Sequence, residues 1–401
     1  MPLGAKTRKR RRDRLLRSII VTRLLPAWFV ERIDPVRDED DLRVSTLELF
    51  FDLVFVFIIA QFTAIIAHDP LLGLVQSALV FGFLWWMFAG YSWLTNVIPP
   101  LRPARRVLIL CAMAGWLLIG LTVPAAFHGG SIWLAVGILV VVLVHGLMYL
   151  QAARSFGPVF AANLAATAAV FAAQLVDDGI WQYVCWGLAC AIVWSVPIWH
   201  GQQGLRLHPA HITERHGLVV IVVLGESVVA IGLGARALPI DADLLVAAIL
   251  GLVLCACLWW SLFVRDLPAT EHVLAATKDP VQRVRKVLAG LSYAFIPVLM
   301  GILVTAAGIE HAIGHAMEPL DTASTWLLSG GVAAFLLGTA GLRLTMPLPR
   351  PWDRVILAAV VLALAPIGLF NTALQLAAIV IALIVALALE SRTAAARTPA
   401  T

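Results

Sequence analysis

The sequence predicts an all-α polytopic membrane protein with about twelve transmembrane helices, arranged as two tandem six-helix repeats. Apolar blocks, a one-sided distribution of basic residues and three recurring motifs support this fold class. Hydrophobic residues make up 61% of the 401 residues and charged residues only 13%, whereas a soluble domain carries about 25% charged residues. A bilayer accommodates so many apolar blocks, because each spanning helix needs about 20 mostly apolar residues.

The apolar blocks give the positions of the spans, with boundaries expected to be right to within a few residues. They lie at residues 45–67, 72–96, 104–127, 131–152, 158–176, 180–200, 212–234, 243–264, 286–309, 323–343, 353–370 and 372–390. The last two blocks are nearly continuous. A single segment kinked around Pro366 and Asn371 is therefore the alternative, and it would reduce the number of spans to eleven.

The basic residues predict the orientation of the chain. With the N-terminus in the cytoplasm, each of the 29 Lys and Arg residues except Arg236 falls on the cytoplasmic side. The loops on the other side are short and acidic. This bias follows the positive-inside rule, so we expect both termini in the cytoplasm.

Residues 1–43 predict a basic cytoplasmic arm that precedes the first span. The run KTRKRRRDRLLR at residues 6–17 is typical of a segment held near anionic lipid. Residues 14–30 have apolar positions separated by arginines, which predicts a short amphipathic helix on the inner surface; a disordered arm is the alternative. Because the charge is concentrated beside the membrane, the net charge of +5 does not indicate nucleic-acid binding.

Three motifs recur in the same order and predict a duplication. ELFFDLVFVFIIAQ (48–61) corresponds to ERHGLVVIVVLGES (214–227), LWWMF (84–88) to LWWSLF (258–263), and RRVL (105–108) to RKVL (285–288). We therefore expect a first repeat at 44–200, a second at 201–390, and a short cytoplasmic tail at 391–401. Each repeat has an even number of spans, so a pseudo-two-fold axis along the membrane normal should relate the two.

Carboxylates in the first helix of each repeat are the candidate functional residues. Glu48 and Asp52 are four residues apart and share a helix face. With Glu214 and Arg215 they predict a network at the cytoplasmic side. The structural alternative for Glu48 is an interfacial residue that pairs with Arg215 or with a helix N-terminus. The structural alternative for Asp52 is a packing network that holds the first span to the seventh. Glu226 is expected near the midplane, where no basic residue can pair with it. The predicted midplane site combines Gln61, Glu226 and Ser227.

Other polar residues favour structural roles. His311 and His315 have a spacing that suits two metal ligands, but a solvated interfacial helix explains them as well. His208, His211 and His216 are interpreted as polar residues of an inner loop, and His145 as a packing residue. No nucleotide, dinucleotide, metalloprotease or serine-hydrolase motif is present, and the five cysteines lie in apolar blocks. We therefore expect no catalytic residues, no cofactor and no metal.

Three segments resemble one known family, the bacterial low-temperature-requirement A (LtrA) family. They are VSTLELFFDLVFVFIIAQ (44–61), ERHGLVVIVVLGESVVAIG (214–232) and SYAFIPVLMGILVTAAGIEHAIGH (292–315), within a similarity over roughly residues 40–390. The matching motif positions are Glu48, Phe51, Asp52, Gln61, Glu214, Arg215, Gly217, Gly225, Glu226 and Ser227. Phe295 stands where members often have His, and Leu262 where they often have Tyr. The resemblance implies a role in growth at low temperature, but no defined activity.

The resemblance places the protein in the bacterial inner membrane and leaves three hypotheses for its function. The leading one is a transporter or channel that moves a small ion or solute and uses its intramembrane carboxylates. The alternatives are a non-catalytic scaffold or stress sensor, and an intramembrane enzyme that modifies lipid. Lipid, including anionic lipid at the N-terminal arm, is the expected partner; a homodimer is compatible with the sequence, although no feature indicates one.

Overall fold

The computed structural model describes residues 43–152, 157–176, 179–200, 207–236 and 238–395, and this part of the chain is helical without strands. The predicted amphipathic helix in the N-terminal arm and most of the predicted tail lie outside the described residues. Twelve described helices are long and apolar enough to cross a membrane. They are α1 (Thr46–His68), α2 (Pro70–Val97), α3 (Pro103–Ala125), α4 (Ile132–Ala152), α5 (Gly157–Leu175), α6 (Ile180–His200), α7 (Pro209–Gly234), α8 (Ala242–Ala276), α9 (Pro280–Gly314), α10 (Thr322–Thr345), α11 (Pro351–Leu369) and α12 (Thr372–Ala395).

The polytopic helical architecture is confirmed, and the last apolar region forms two spans. A 3₁₀ turn at Ala365–Leu369 ends α11, and α12 starts at Thr372. Arg354 near the start of α11 contacts Glu390 near the end of α12, with Nη2 and Oε2 3.3 Å apart. The two helices are therefore antiparallel, and the eleven-span alternative is wrong.

Helix starts follow from the local sequence. Ser45 forms a capping box with Glu48 before α1, and aspartates cap α2, α8, α9 and α10 through Asp69, Asp241, Asp279 and Asp321. Proline stands in the first turn of α2, α3, α7, α9 and α11, where its missing N–H group has no intrahelical partner to lose.

Two helices are longer than the sequence predicted, and each of them contains a π-helical segment. In α8 the segment is Leu262–Asp266, and in α9 it is Leu288–Tyr293. Both helices continue beyond the expected membrane boundary and meet at a short turn after Ala276. Arg265, Arg283 and Arg285, which fall between the predicted eighth and ninth spans, therefore lie on helices.

The helices pack with α9 and α10 at the centre and α5 and α6 at the edge. Protein buries 67% of the spanning segment of α9 and 72% of that of α10, against 33% for α5 and 28% for α6. The α9–α10 contact is close because glycines face each other: a Cβ atom on Gly301 would lie 2.7 Å from the carbonyl oxygen of Gly331. α1 packs against both α7 and α9 and so joins the two halves of the chain.

Consecutive helices alternate in direction, which gives the bundle two distinct ends. Odd-numbered helices begin at the end that we name the arginine-rich side, where the described Lys and Arg residues other than Arg236 are found. The opposite side contains the turns around Asp69, Asp241 and Asp321. Hydrogen bonds from Leu320 N to Gly368 O and from Thr372 N to Glu318 O join two of its loops.

Candidate functional site

Two pairs of polar residues meet at the arginine-rich side, one on α1 and one on α7. Glu48 and Asp52 are one helical turn apart, and so are His211 and Arg215. Both helices begin at this side, so the two faces match in register. We name Glu48, Asp52, His211 and Arg215 the first charge cluster; each residue is buried, with at most 2% of its surface exposed.

The contacts within the first charge cluster run pairwise between the helices. His211 Nε2 lies 3.1 Å from Glu48 Oε1. Arg215 donates from Nη1 to Asp52 Oδ2 at 2.9 Å and to the backbone oxygen of Glu48, also at 2.9 Å. The structure therefore brings together three of the four residues of the predicted cytoplasmic-side network.

Glu214, the fourth residue of that predicted network, lies outside the cluster. Its side chain is exposed, and Oε2 accepts a hydrogen bond of 3.4 Å from the backbone N–H of Val44. Glu214 and Arg215 are adjacent, so they point about 100° apart around an α-helix. Only Arg215 can face α1.

Aromatic rings enclose the Arg215 guanidinium. Its Cζ atom lies 6.0 Å from the centroid of Phe51 and 5.6 Å from that of Phe88, distances at which a ring face attracts a cation. Asp52 Oδ1 and Arg215 Nε have no hydrogen-bond partner among the described residues. A water molecule could satisfy these two buried polar atoms.

His211 and His216 correct our interpretation of the histidines as polar residues of an inner loop. α7 begins at Pro209, earlier than predicted, and both side chains are buried inside the bundle. The ring of His216 meets Trp85 and Phe295 edge-on, with centroids 5.7 Å and 5.5 Å away. The equal spacing of the Glu48–Asp52 and His211–Arg215 pairs is the signal in the sequence that could have identified His211.

The predicted midplane residues lie at similar depth but do not form one hydrogen-bonded site. Relative to the first charge cluster, Gln61 and Glu226 differ by two residues in helical register, or about 3 Å. Gln61 is half-buried, Glu226 is buried, and Ser227 lies beside the Cys255 thiol. No hydrogen bond among the described residues joins Gln61 to Glu226 or Ser227.

Glu226 is more isolated than the other buried acids. Its side chain is 4% exposed, and it makes no hydrogen bond or ion pair with any residue that the structure describes. The charged group that acts on it is Glu310 on α9, which is of the same sign. α7 ends at Gly234, so Glu226 lies about 12 Å from the end of α7 at the opposite side.

A second charge cluster, which the sequence did not predict, lies at the arginine-rich side between α8, α10, α11 and α12. It consists of Asp266, Arg343, Arg354 and Glu390. Arg343 lies 2.9 Å from Asp266 and 3.2 Å from Glu390, and Arg354 Nη2 donates to the backbone oxygen of Ser261 at 3.2 Å. We ended the eighth span before Asp266, so this acid was not recognised as intramembrane.

The described residues contain no group of three or more His, Cys, Asp or Glu side chains that could hold a metal ion. His311 and His315 both hydrogen-bond through Nδ1 to backbone carbonyls one turn earlier, at 3.0 Å and 3.2 Å. His145 packs between Tyr91 and Tyr149.

Comparison with known proteins gives the family context of this arrangement. A family model described as "Bacterial low temperature requirement A protein (LtrA)" matches residues 43–389. An uncharacterized protein of Rhizobium meliloti is 26% identical over 343 residues, which cover 79% of this chain and 81% of that protein. No solved structure matches the chain. Both charge clusters fall inside the matched region, apart from Glu390, which follows it directly.

Proposed function

Since the chain belongs to the bacterial low temperature requirement A family, whose name gives no chemistry, we propose a function from the geometry: a transporter or channel that moves a small ion through the bundle and uses Glu226 as its intramembrane binding group. From the family name alone, we also propose a role in growth at low temperature. Glu226 is the observation that carries the proposal.

Five carboxylates are buried in the described part of the chain: Glu48, Asp52, Glu226, Asp266 and Glu390. Each of them except Glu226 lies within 4 Å of an arginine or histidine nitrogen. A charged side chain deep in the bilayer costs at least about 2.5–3.5 kcal/mol unless it faces a partner or water. An isolated carboxyl group at this depth is stable when it holds a proton or a cation, and exchange of that ion is the elementary step of transport.

A proton fits Glu226 better than a metal cation does. Divalent hard cations need several oxygen ligands at once, and the described residues contain no group of three or more His, Cys, Asp or Glu side chains that could hold such an ion at Glu226. Glu310 lies toward the opposite side, at the end of α9 that packs on Gly234. A proton could therefore reach Glu226 from the opposite side, past Glu310.

Flux through liposomes tests this proposal. Purified protein is reconstituted, and proton, sodium and potassium movement is measured under a pH gradient and under a membrane potential. We expect proton flux in the native protein and background flux in Glu226→Gln. Glu214→Gln is the matched control, because Glu214 is an exposed glutamate on the same helix, and it should leave the flux unchanged.

A non-catalytic scaffold is the second candidate, and the paired acids favour it. The two charge clusters join α1 to α7 and α8 to α10, α11 and α12, which is what a rigid membrane scaffold needs. In that case no ion moves under any gradient, and Glu226→Gln folds and melts like the native protein. Lipid turnover that depends on His311 or His315 would instead favour the third hypothesis, an intramembrane enzyme.

We also propose that the arginine-rich side faces the cytoplasm of the bacterial inner membrane, as the positive-inside rule indicates. Lys278→Cys and Glu318→Cys, each in a variant without the five native cysteines, place single thiols at the two sides. A maleimide that does not cross the membrane should label position 318 in intact spheroplasts, and position 278 only after lysis. The reverse pattern would overturn the orientation.

The duplication remains part of the proposal, and the helix contacts support it. Within the first half α1 packs on α3, α3 on α4, α4 on α5, and α2 on α6; in the second half α7 packs on α9, α9 on α10, α10 on α11, and α8 on α12. Each contact has its counterpart six helices later. The buried Trp85–Trp86 pair and the exposed Trp259–Trp260 pair, in contrast, have diverged in environment.

A further inference from the structure

We infer that Asn96, at the end of α2, is the positioning residue that fixes which ring nitrogen of His211 carries the proton, and that it thereby holds Glu48 to α7. Asn96 is fully buried. Its amide lies between the backbone of His208 and the ring of His211. No prediction from the sequence included it.

The backbone of His208 determines the orientation of the Asn96 amide. The N–H group of His208 donates to Asn96 Oδ1 at 2.9 Å, and Asn96 Nδ2 donates to the carbonyl oxygen of His208 at 3.0 Å. An amide nitrogen and oxygen are usually told apart only by such a network. Here a backbone donor and a backbone acceptor both select the same orientation. A flipped amide would place its NH₂ group against the N–H of His208 and its oxygen against the carbonyl oxygen of His208.

That orientation fixes the tautomer of His211. The second hydrogen of Asn96 Nδ2 points to His211 Nδ1, 3.2 Å away, so Nδ1 must be the acceptor. A neutral imidazole carries its single proton on the other nitrogen. Nε2 is therefore the donor, and it faces Glu48 Oε1 at 3.1 Å.

Glu48 completes a chain of hydrogen bonds that runs from His208 through Asn96 and His211, and we name this chain the relay. Its second oxygen, Oε2, accepts from the backbone N–H of Ser45 at 2.9 Å and from Ser45 Oγ at 2.8 Å. The hydrogen bonds thus run from the loop before α7, through α2 and α7, to the first residues of α1, and each donor along this path meets an acceptor. The opposite tautomer would place the Nδ1 hydrogen against the amide hydrogens of Asn96 and the Nε2 lone pair against the carboxylate.

The relay joins the ends of α1, α2 and α7 at the arginine-rich side. If the proposed transport function is correct, this contact closes the path at that side, and opening requires the His211–Glu48 hydrogen bond to break. The gating role depends on the proposed function, whereas the tautomer assignment stands without it. One experiment should therefore read the tautomer directly and a second should read the flux.

Nitrogen NMR of ¹⁵N-histidine-labelled protein in lipid reports the protonation of each ring nitrogen, and His211→Gln identifies the His211 signals by their loss. We expect unprotonated Nδ1 and protonated Nε2 in the native protein. In Asn96→Asp, which is nearly isosteric and keeps the acceptor for His208 N–H, a carboxylate oxygen replaces the donor, so the Nδ1 signal should move fully to the protonated range.

Asn163→Leu is the matched control, since Asn163 is another buried amide, bonded to Trp86 at 3.1 Å, away from His211. It should leave the His211 signals unchanged. Protonated Nδ1 in the native protein, or an unchanged Nδ1 signal in Asn96→Asp, would overturn the assignment. In liposomes Asn96→Asp should raise proton leak at least several-fold; unchanged leak with a changed tautomer would overturn the gate alone, and absent flux in the native protein would overturn the proposed function alone.

Discussion

Arg215 and Asp52 form a fully buried ion pair that joins the first and the seventh helix, with Nη1 and Oδ2 2.9 Å apart. Phe51 and Phe88 cover the guanidinium, so little water screens the pair. A charge in such a place is strongly coupled to its partner, and removing either member leaves the other buried without its direct partner.

We expect Asp52→Asn to destabilise the protein by about 3–5 kcal/mol, because it removes the carboxylate that pairs directly with the buried Arg215 guanidinium. The double variant Asp52→Leu/Arg215→Met removes both charges and should recover much of this loss. Unfolding in mixed micelles, followed by helical circular dichroism, measures both. If Asp52→Asn is as stable as the native protein, the pair does not hold α1 to α7.

The second charge cluster should behave as one coupled unit. A double-mutant cycle with Arg354→Gln and Glu390→Gln should give a coupling energy of about 1–3 kcal/mol, as expected for contacting residues in one network. The exposed pair Arg350–Asp353, 3.7 Å apart, is the control, and Asp353→Asn should change stability by less than about 1 kcal/mol. If the double variant loses as much stability as the sum of the losses in Arg354→Gln and Glu390→Gln, the two residues are not coupled.

Adjacent glycines on α10 should respond very differently to alanine. A Cβ atom on Gly331 would lie 2.8 Å from the carbonyl oxygen of Gly301, whereas one on Gly330 would meet nothing within 4 Å. Gly331→Ala should therefore cost about 1–3 kcal/mol by overpacking. Gly330→Ala should be neutral or slightly stabilising, because alanine favours helix. Thermal unfolding compares the two, and similar midpoints would contradict the close α9–α10 contact.

Asp321 should make stability depend on pH at the opposite side. Partial burial alone would raise the pKa of Asp321, but the hydrogen bonds that its carboxylate accepts from the backbone N–H groups of Ala323 and Ser324 outweigh this and hold the pKa below its ordinary value. A lowered pKa in the folded state adds stability above the unfolded pKa of about 3.9, and this stability is lost as pH falls through the folded pKa.

The comparison of native protein with Asp321→Asn isolates that contribution, since asparagine also caps helices well. The native protein should melt at a higher temperature than Asp321→Asn at neutral pH, and this difference should become smaller below a pH of about 4. A difference that stays constant down to pH 3 would exclude the ionised carboxylate as its source. Asp321→Ala should be less stable at every pH, because it removes the cap.

The spans could be predicted from the sequence because hydropathy is a local property: a block of about 20 apolar residues needs lipid wherever it lies. The contacts between helices could not. Nothing in the sequence distinguishes Asn96 from other polar residues near the ends of spans, and its role appears only when α7 brings His208 and His211 beside it. Asp266 was missed because α8 continues to Ala276, past the boundary that the apolar block predicts.

The π-helical segments also bear on how relatives should be aligned with this chain. A π segment contains one residue more than the α-helical turn that it replaces, so it corresponds to a single-residue insertion that was kept. Near each segment a side chain from another helix bonds to a serine carbonyl: Arg354 to Ser261 and Trp85 to Ser292. A relative with a one-residue gap at either place should lack the matching donor, and its helix beyond the gap would be turned by about 100°.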